Sequence, residues 1–310
     1  MKNKILLVTL LLTNLVAGAK ERCFVPYERG KDTLVLKLAV ENEQLTKEWI
    51  EALKTRMSST KLDSFARLKR SMTKEETEWK KLITSKLNYW NSIRDSLAVP
   101  FKNIELNDTI NLMLGFLGVD DGFTYGLQTV CLDVTALYRA YGEATLIENA
   151  SRIDRLFAHE YTHLLHKTWA QQNKLQVKTF KENVLWECLY EGIGMYRSLN
   201  QKWLPQNDAL PAVARNTLNV LYPSFVENLI DIAKNDSLSD EDQYRIQKNL
   251  SRGNVAQKWG AFPVAIWLLL EANGDEKKLI PWIDSGPAAV IELAKKYLPE
   301  HLRERLVEFY

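Results

Sequence analysis

The 310-residue chain has only three cysteines, Cys23, Cys131 and Cys188, an odd set far too sparse for a disulfide-built scaffold. Glycine and proline are also scarce, at 13 and 9, and no repeat or low-complexity linker stands out, which excludes collagen-like and disordered architectures. Charge of one sign is nearly absent as an excess. Lys and Arg number 41 against 39 Asp and Glu, so the net +2 gives no reason to expect nucleic acid or an anionic membrane as a partner. Beyond the first residues no apolar run is long enough to cross a bilayer, and the stretch 261–270 is about half the length required. Histidine is rare as well. There are four, and three of them fall within positions 159–166.

What is present fits a globular protein: 46% hydrophobic, 26% charged and 10% aromatic residues. The first 19 residues stand apart. Lys2 and Lys4 make a basic start, 5–12 is apolar apart from Thr9, and Ala17-Gly18-Ala19 offers the small-x-small pattern of signal-peptidase cleavage. The run is short for a membrane anchor, the alternative reading of this segment. Lys20-Glu21-Arg22 ahead of Cys23 does not fit a lipoprotein signal. Cleavage after Ala19 removes two lysines and no acid, so the formal charge falls from +2 to zero. The expectation is an exported protein, periplasmic or extracellular, with no stable membrane insertion once the leader is gone. Cys131 and Cys188 are expected to be small buried apolar residues. Asn107, Asn149, Asn235 and Asn249 each begin an N-x-S/T sequon.

The patterning indicates a mainly α (α+β) fold. Residues 46–98 read as helical, with Thr73-Lys74-Glu75-Glu76 as a helix start and Pro100 as the stop. The β region follows: 110–117 is apolar-rich, Asp120-Asp121-Gly122 reads as a turn, and 129–134 is apolar around Cys131. From about Thr145 helix returns, with Ile147, Ile153, Leu156, Phe157, Tyr161, Leu164 and Leu165 spaced for one buried side. A second helix starts near Thr179 and carries Val184, Leu185, Leu189, Ile193 and Tyr196. The division expected is a leader at 1–19, a helical N-terminal region at 20–100, a central core at 101–204 and a helical C-terminal region at 205–310. The small sheet should precede the helix that carries the site.

His159-Glu160-Tyr161-Thr162-His163 is an H-E-x-x-H motif on that helix. Residues i and i+4 lie about 40° apart around a helix axis and one turn up. Two such imidazoles can converge on one tetrahedral cation at about 2.0–2.1 Å. Glu160, rotated by about 100° from His159, is better placed to hold a metal-bound water than to ligate the metal. A catalytic zinc site needs a third protein ligand and an open position. Glu191 on the second helix is the best candidate, and Gly192 and Gly194 beside it suggest close approach of the two helices at the metal. Glu187, one turn earlier on the same face, is the alternative ligand or a support for an imidazole. His166 shares the face of His159 and reads as an ordinary helix-face histidine.

With those residues named, a resemblance becomes visible. His159, His163 and the downstream Glu191-Gly192 resemble the gluzincin arrangement of zinc peptidases. The segment 189–196 is similar to the Asn-Glu-Gly-Phe-Ala segment of aminopeptidase N-type enzymes, and closer still to exported zinc-dependent proteases that pair H-E-Y-x-H with E-G-x-A-x-Y. The likeness covers roughly 130–200. It implies a zincin-like core, one Zn2+ held by His159, His163 and Glu191, Glu160 as general base, and a peptide or protein substrate.

Three departures limit it. Met195 stands where thermolysin-type enzymes place an Asp that orients a zinc histidine. The Gly-x-Met-x-Asn signature of aminopeptidases is absent, and the third metzincin ligand is missing. Tyr196, Tyr222 and Tyr244 are open candidates for an oxyanion donor, and Trp259-Gly260 for a cleft element, although Trp259, Phe262 and Trp267 read mainly as core. Asp154-Arg155 reads as a solvated pair, and the strand at 129–134 as one able to hold an extended substrate. A non-peptidase zinc hydrolase and a non-catalytic exported zinc-binding protein remain the competing classes.

Overall fold

Short strands whose side chains alternate between two faces sort the core of this protein into two sides. The computed structural model describes residues 33–41, 44–66, 70–118, 120–207, 209–234 and 238–310; the expected leader, Cys23 and the sequon at Asn235 lie outside them. The chain opens with β1 (Thr33–Leu38) and a small antiparallel pair, β2 (Val40–Glu41) and β3 (Gln44–Leu45). Helices α1 (Lys47–Lys54), α2 (Ser59–Ala66) and α3 (Lys74–Ala98) follow. Then come β4 (Thr109–Gly115), β5 (Gly122–Tyr125), β6 (Thr129–Asp133) and α4 (Val134–Tyr141).

The four longer strands form one sheet in the order β1-β4-β6-β5, with β1, β4 and β6 parallel and β5 antiparallel on the edge. Leu112, Leu114, Val130 and Leu132 face the main core, beneath Trp90, Phe157 and Tyr161. Met113, Phe123 and Cys131 face the other way, against Trp49, Ala52 and Leu53. The sheet is therefore covered on both faces, which is why β6 is buried at every position.

Two corrections to the sequence reading follow. Strands were expected only after Pro100, yet β1 precedes the helices and pairs with β4, Leu34 opposite Ile110. The strand proposed to hold substrate, β6, lies between β4 and β5 and has no open edge. The edge belongs to β5, whose first residue, Gly122, had been read as part of a turn.

The long helices begin where their caps dictate. Thr73 and Glu76 form a reciprocal capping box at α3, with the Glu76 amide donating to Thr73 Oγ1 at 3.3 Å and the Thr73 amide to Glu76 Oε2 at 2.8 Å. Asp133 ends β6 and caps α4, accepting from the Thr135 and Ala136 amides and also from Leu117 and Gly118. Next come α5 (Ile147–Gln172) and α6 (Phe180–Ser198), the latter with a second capping box, Thr179 and Glu182. Asp154 on α5, expected as half of a solvated pair, is partly buried and accepts from Lys86 Nζ and Trp90 Nε1, each at 2.7 Å, which ties α5 to α3. Asn149 is buried in α5 and hydrogen-bonded to the Tyr141 and Glu143 carbonyls, which closes that sequon to a glycan.

The C-terminal part comprises α7 (Ala212–Lys234), α8 (Asp240–Gln247), α9 (Ala261–Ala272), α10 (Ile280–Asp284), α11 (Ala288–Tyr297) and α12 (Glu300–Val307). Helix α9 is apolar on all sides and buried against α6, which accounts for the apolar run at 261–270. Trp259 and Trp267 are core residues, their indoles donating to the Ile246 carbonyl and the Tyr222 hydroxyl. Cys131 and Cys188 are both buried thiols. No helix among the described residues is long and apolar enough to cross a membrane.

Candidate metal centre

Helices α5 and α6 pack side by side, and their facing surfaces carry the residues singled out by sequence. His159 and His163, one turn apart on α5, bring their Nε2 atoms to 2.9 Å of each other. Glu191 Oε2 on α6 lies 3.7 Å from His163 Nε2 and 3.9 Å from His159 Nε2. The donor atoms of the three lie within 4.8 Å of one another, and no other group of three His, Cys, Asp or Glu among the described residues gathers so closely. Ligands bonded at about 2.0–2.1 Å around a tetrahedral ion stand about 3.3 Å apart. The observed separations bracket that value, so two nitrogens and one carboxylate oxygen fit a zinc ion with small side-chain movements.

The two glycines of α6 turn out to have different jobs. At Gly194 a Cβ would come within 2.7 Å of His163 Cε1 and 3.1 Å of His159 Cε1, so a bare backbone is what admits both imidazoles. At Gly192 a Cβ would meet Val264 Cγ1 at 2.5 Å. That glycine serves the contact with α9, not the approach of α5 expected from sequence. Glu160 lies on the β5 side of the cluster. Its Oε1 is 4.0 Å from His159 Nε2, and a Cβ on Gly122 would stand 3.0 Å from the same oxygen. The carboxylate thus sits between the paired histidines and the first residue of the edge strand. Around the cluster opens a cleft of about 1250 Å³ lined by β5, α5, one side of α6 from Trp186 to Ser198 and the segment before α9.

Residues 29–298 match the family described as "Putative zinc dependent peptidase (DUF5700)". The chain belongs to that family. No curated protein and no solved structure matches it.

The electrostatics of this family member suit a dication. Burial, and then the Lys258 ammonium, push His159 down to about 4, with a hydrogen bond to the Gly194 backbone working the other way. Burial and the neighbouring His159 hold His163 well below the usual imidazole range. Both rings are therefore neutral and offer lone pairs at ordinary pH. Burial raises Glu191 to about 7, helped by Glu187, and burial raises Glu160 well above the usual carboxylate range, helped by Glu191, Asp121 and Asp120. A bound cation lowers the energy of both carboxylates in their charged form.

The other candidates are placed elsewhere. Glu187 lines the cleft but accepts from Ser251 Oγ at 3.2 Å and stays outside the ligand group. His166 is fully buried among Phe101, Trp169, Trp186 and Tyr190, and burial lowers it to about 3. Tyr196 donates to Glu276 at 2.6 Å, Tyr222 sits beside Trp267, Tyr244 is on the surface, and none of these lines the cleft.

Sequence reasoning missed Ser198, whose Oγ is 2.9 Å from His159 Nδ1. Two turns after Glu191 on the same helix face, it steadies the histidine that an Asp at the Met195 position would otherwise orient. It also missed Tyr190, whose ring stacks on His163 with centroids 4.1 Å apart. The i+7 spacing from Glu191 was the available signal for Ser198. Tyr190 had none beyond lying next to Glu191.

Proposed function

We propose that the protein is an exported zinc-dependent peptidase of gluzincin-like arrangement, with one zinc ion held by His159, His163 and Glu191 and with Glu160 as general base. The observation that carries this reading is the meeting of the three donor atoms from two helices beside an otherwise unligated carboxylate. A bound zinc supplies Lewis-acid polarisation of the carbonyl and a water acidic enough to attack near neutral pH. Glu160 then accepts the proton of the attacking water and passes it to the departing amine. Ser198 and Tyr190 keep the imidazoles oriented. The edge of β5 runs past Glu160 and can take an extended peptide as an added strand, which puts a backbone carbonyl near the metal cluster. The leader-like residues 1–19 support export, and the substrate is a peptide or protein rather than nucleic acid.

The test pairs metal content with turnover. Purified protein should carry close to one zinc per chain and cleave members of an unbiased peptide library. Glu160→Gln should keep the metal and lose hydrolysis by about 10²–10⁴-fold, the usual worth of a positioned acid–base group. His163→Ala should lose metal and activity together. A Glu160→Gln variant that cleaves peptides at the wild-type rate overturns the mechanism, and cleavage of other amides or esters but no peptide overturns the substrate class.

A further inference from the structure

The cleft is lined by more cationic side chains than carboxylates. On the β5 and α5 side several of the cations are engaged: Arg56 pairs with Asp120, Arg152 lies over the Tyr141 ring, and Lys167 Nζ donates to Thr124 Oγ1 at 2.6 Å. The wall on the α6 side is built from the residues after α6 and from the segment before α9. It brings Lys202, Arg252 and Lys258 into the same cleft. Among the described residues none of these three has an ion-pair partner. The carboxylates on their side are Glu187, which takes the Ser251 hydroxyl, and Glu191, which is turned to the histidines.

The backbone is held at two of the three, and the Lys202 amide donates to Asn200 Oδ1 at 3.3 Å. The Lys258 amide donates to the Val255 carbonyl at 3.3 Å, and the next residue, Trp259, is anchored through its amide to Asn249 and through its indole to Ile246. The Lys202 ammonium lies 4.7 Å from the Trp203 ring centroid. Lys258 is partly buried and is close enough to the metal cluster to be felt at both His159 and Glu191. Three cations on a wall that holds only two carboxylates, Glu187 and Glu191, neither of them ion-paired to a cation of that wall, leave a surplus of positive charge that attracts an anionic ligand.

We propose that Lys202, Arg252 and Lys258 form a carboxylate-binding subsite, so that this peptidase prefers substrates carrying a negative charge close to the bond it cleaves. The proposal rests on the zinc-peptidase reading for the word substrate, but binding of a carboxylate can be measured apart from turnover. Two sources share that chemistry: an acidic side chain, and the free C-terminus of the peptide.

The experiment uses matched peptides in which Asp or Glu near the scissile bond is exchanged for Asn or Gln, each made as free acid and as C-terminal amide. Two readouts are taken: kcat/KM with the zinc-loaded enzyme, and binding to metal-free protein by fluorescence anisotropy. Acidic members should be favoured by about tenfold in both, with the preference shrinking at about 0.5 M salt as screening shortens the reach of the wall. Lys258→Gln should reduce the ratio, and Lys258→Glu with Arg252→Glu should reverse it toward basic peptides, zinc content and the circular dichroism spectrum serving as controls for folding. A preference that follows the free C-terminus assigns the subsite to the terminal carboxylate, and one that survives amidation assigns it to an acidic side chain. Equal kcat/KM and equal binding for charged and neutral peptides overturn the proposal. Tighter binding of acidic peptides without any cleavage supports the subsite and overturns the peptidase reading instead.

Discussion

Gly194→Ala is the sharpest perturbation the site offers, because its local and its metal-linked effects are of different size. Gly194 is an interior residue of α6, and alanine there gains about 1 kcal/mol of helix propensity over glycine. The added methyl carbon would stand 2.7 Å from His163 Cε1 and 3.1 Å from His159 Cε1. An ordinary carbon contact is about 3.5–4.0 Å, so His163 must retreat by about 0.8 Å or more. That is several times the ±0.2 Å tolerance of a metal–ligand bond. The imidazole cannot swing freely, since it is 4% exposed and stacked on Tyr190. The metal-free variant should therefore melt within about 1 kcal/mol of wild type, propensity offsetting strain, while zinc affinity falls by about 10–100-fold, the range seen when ligand orientation is disturbed. Competition against a chromophoric chelator measures the affinity, and thermal melting in excess chelator measures the fold. Gly192→Ala is the control with the opposite pattern. Its methyl meets Val264 at 2.5 Å, so overpacking should cost about 1–3 kcal/mol of stability with the ligand side chains undisturbed. Wild-type zinc affinity in Gly194→Ala would refute the assignment of this glycine to the metal site.

Other outcomes follow from the same geometry. Ser198→Ala removes the partner of His159 Nδ1 and should weaken zinc binding by about tenfold, read by the same chelator competition. With Glu191 raised to about 7 and His159 lowered to about 4, zinc binding at about pH 6 should release a proton from the carboxylate and not from His159. Because the charged carboxylate is the ligand, affinity should be full above about pH 7 and fall as pH drops through it. Calorimetry in buffers of different ionisation enthalpy counts that proton, and zero release would contradict it. N-terminal sequencing of protein recovered from its host should begin at or near Lys20, and an intact Met1 on a soluble species would remove the case for export.

The candidate site was more legible in the sequence than the sheet, for a physical reason. Helical spacing is local, so His159 and His163 could be placed on one face of α5, and the second helix could be started near Thr179, where the structure shows the Thr179–Glu182 box. Strand order is not local. β5 has four residues, room for only two alternations, and its edge position depends on pairing Phe123 with Cys131. β1 shows alternation in Leu34, Leu36 and Leu38, but its partner β4 lies far along the chain. The glycines mark the same boundary. Their spacing beside Glu191 suggested a close approach, but only tertiary packing shows that Gly194 faces α5 and Gly192 faces α9. The cationic wall was invisible for the same reason: Lys202 and the pair Arg252 and Lys258 come from separate segments that α6 and α9 bring to one cleft.

The brevity of β5 has a consequence for turnover. A chain laid along four residues can form only two or three ladder hydrogen bonds, each worth about 1 kcal/mol net. That sum corresponds to millimolar holding at best, since a millimolar dissociation constant is about 4 kcal/mol. Backbone pairing at this edge can thus align a peptide without trapping it. Fragments left after cleavage, each keeping only part of the ladder, should leave quickly. On the proposed peptidase reading, the strand would act as a ruler against which successive peptides are measured and let go.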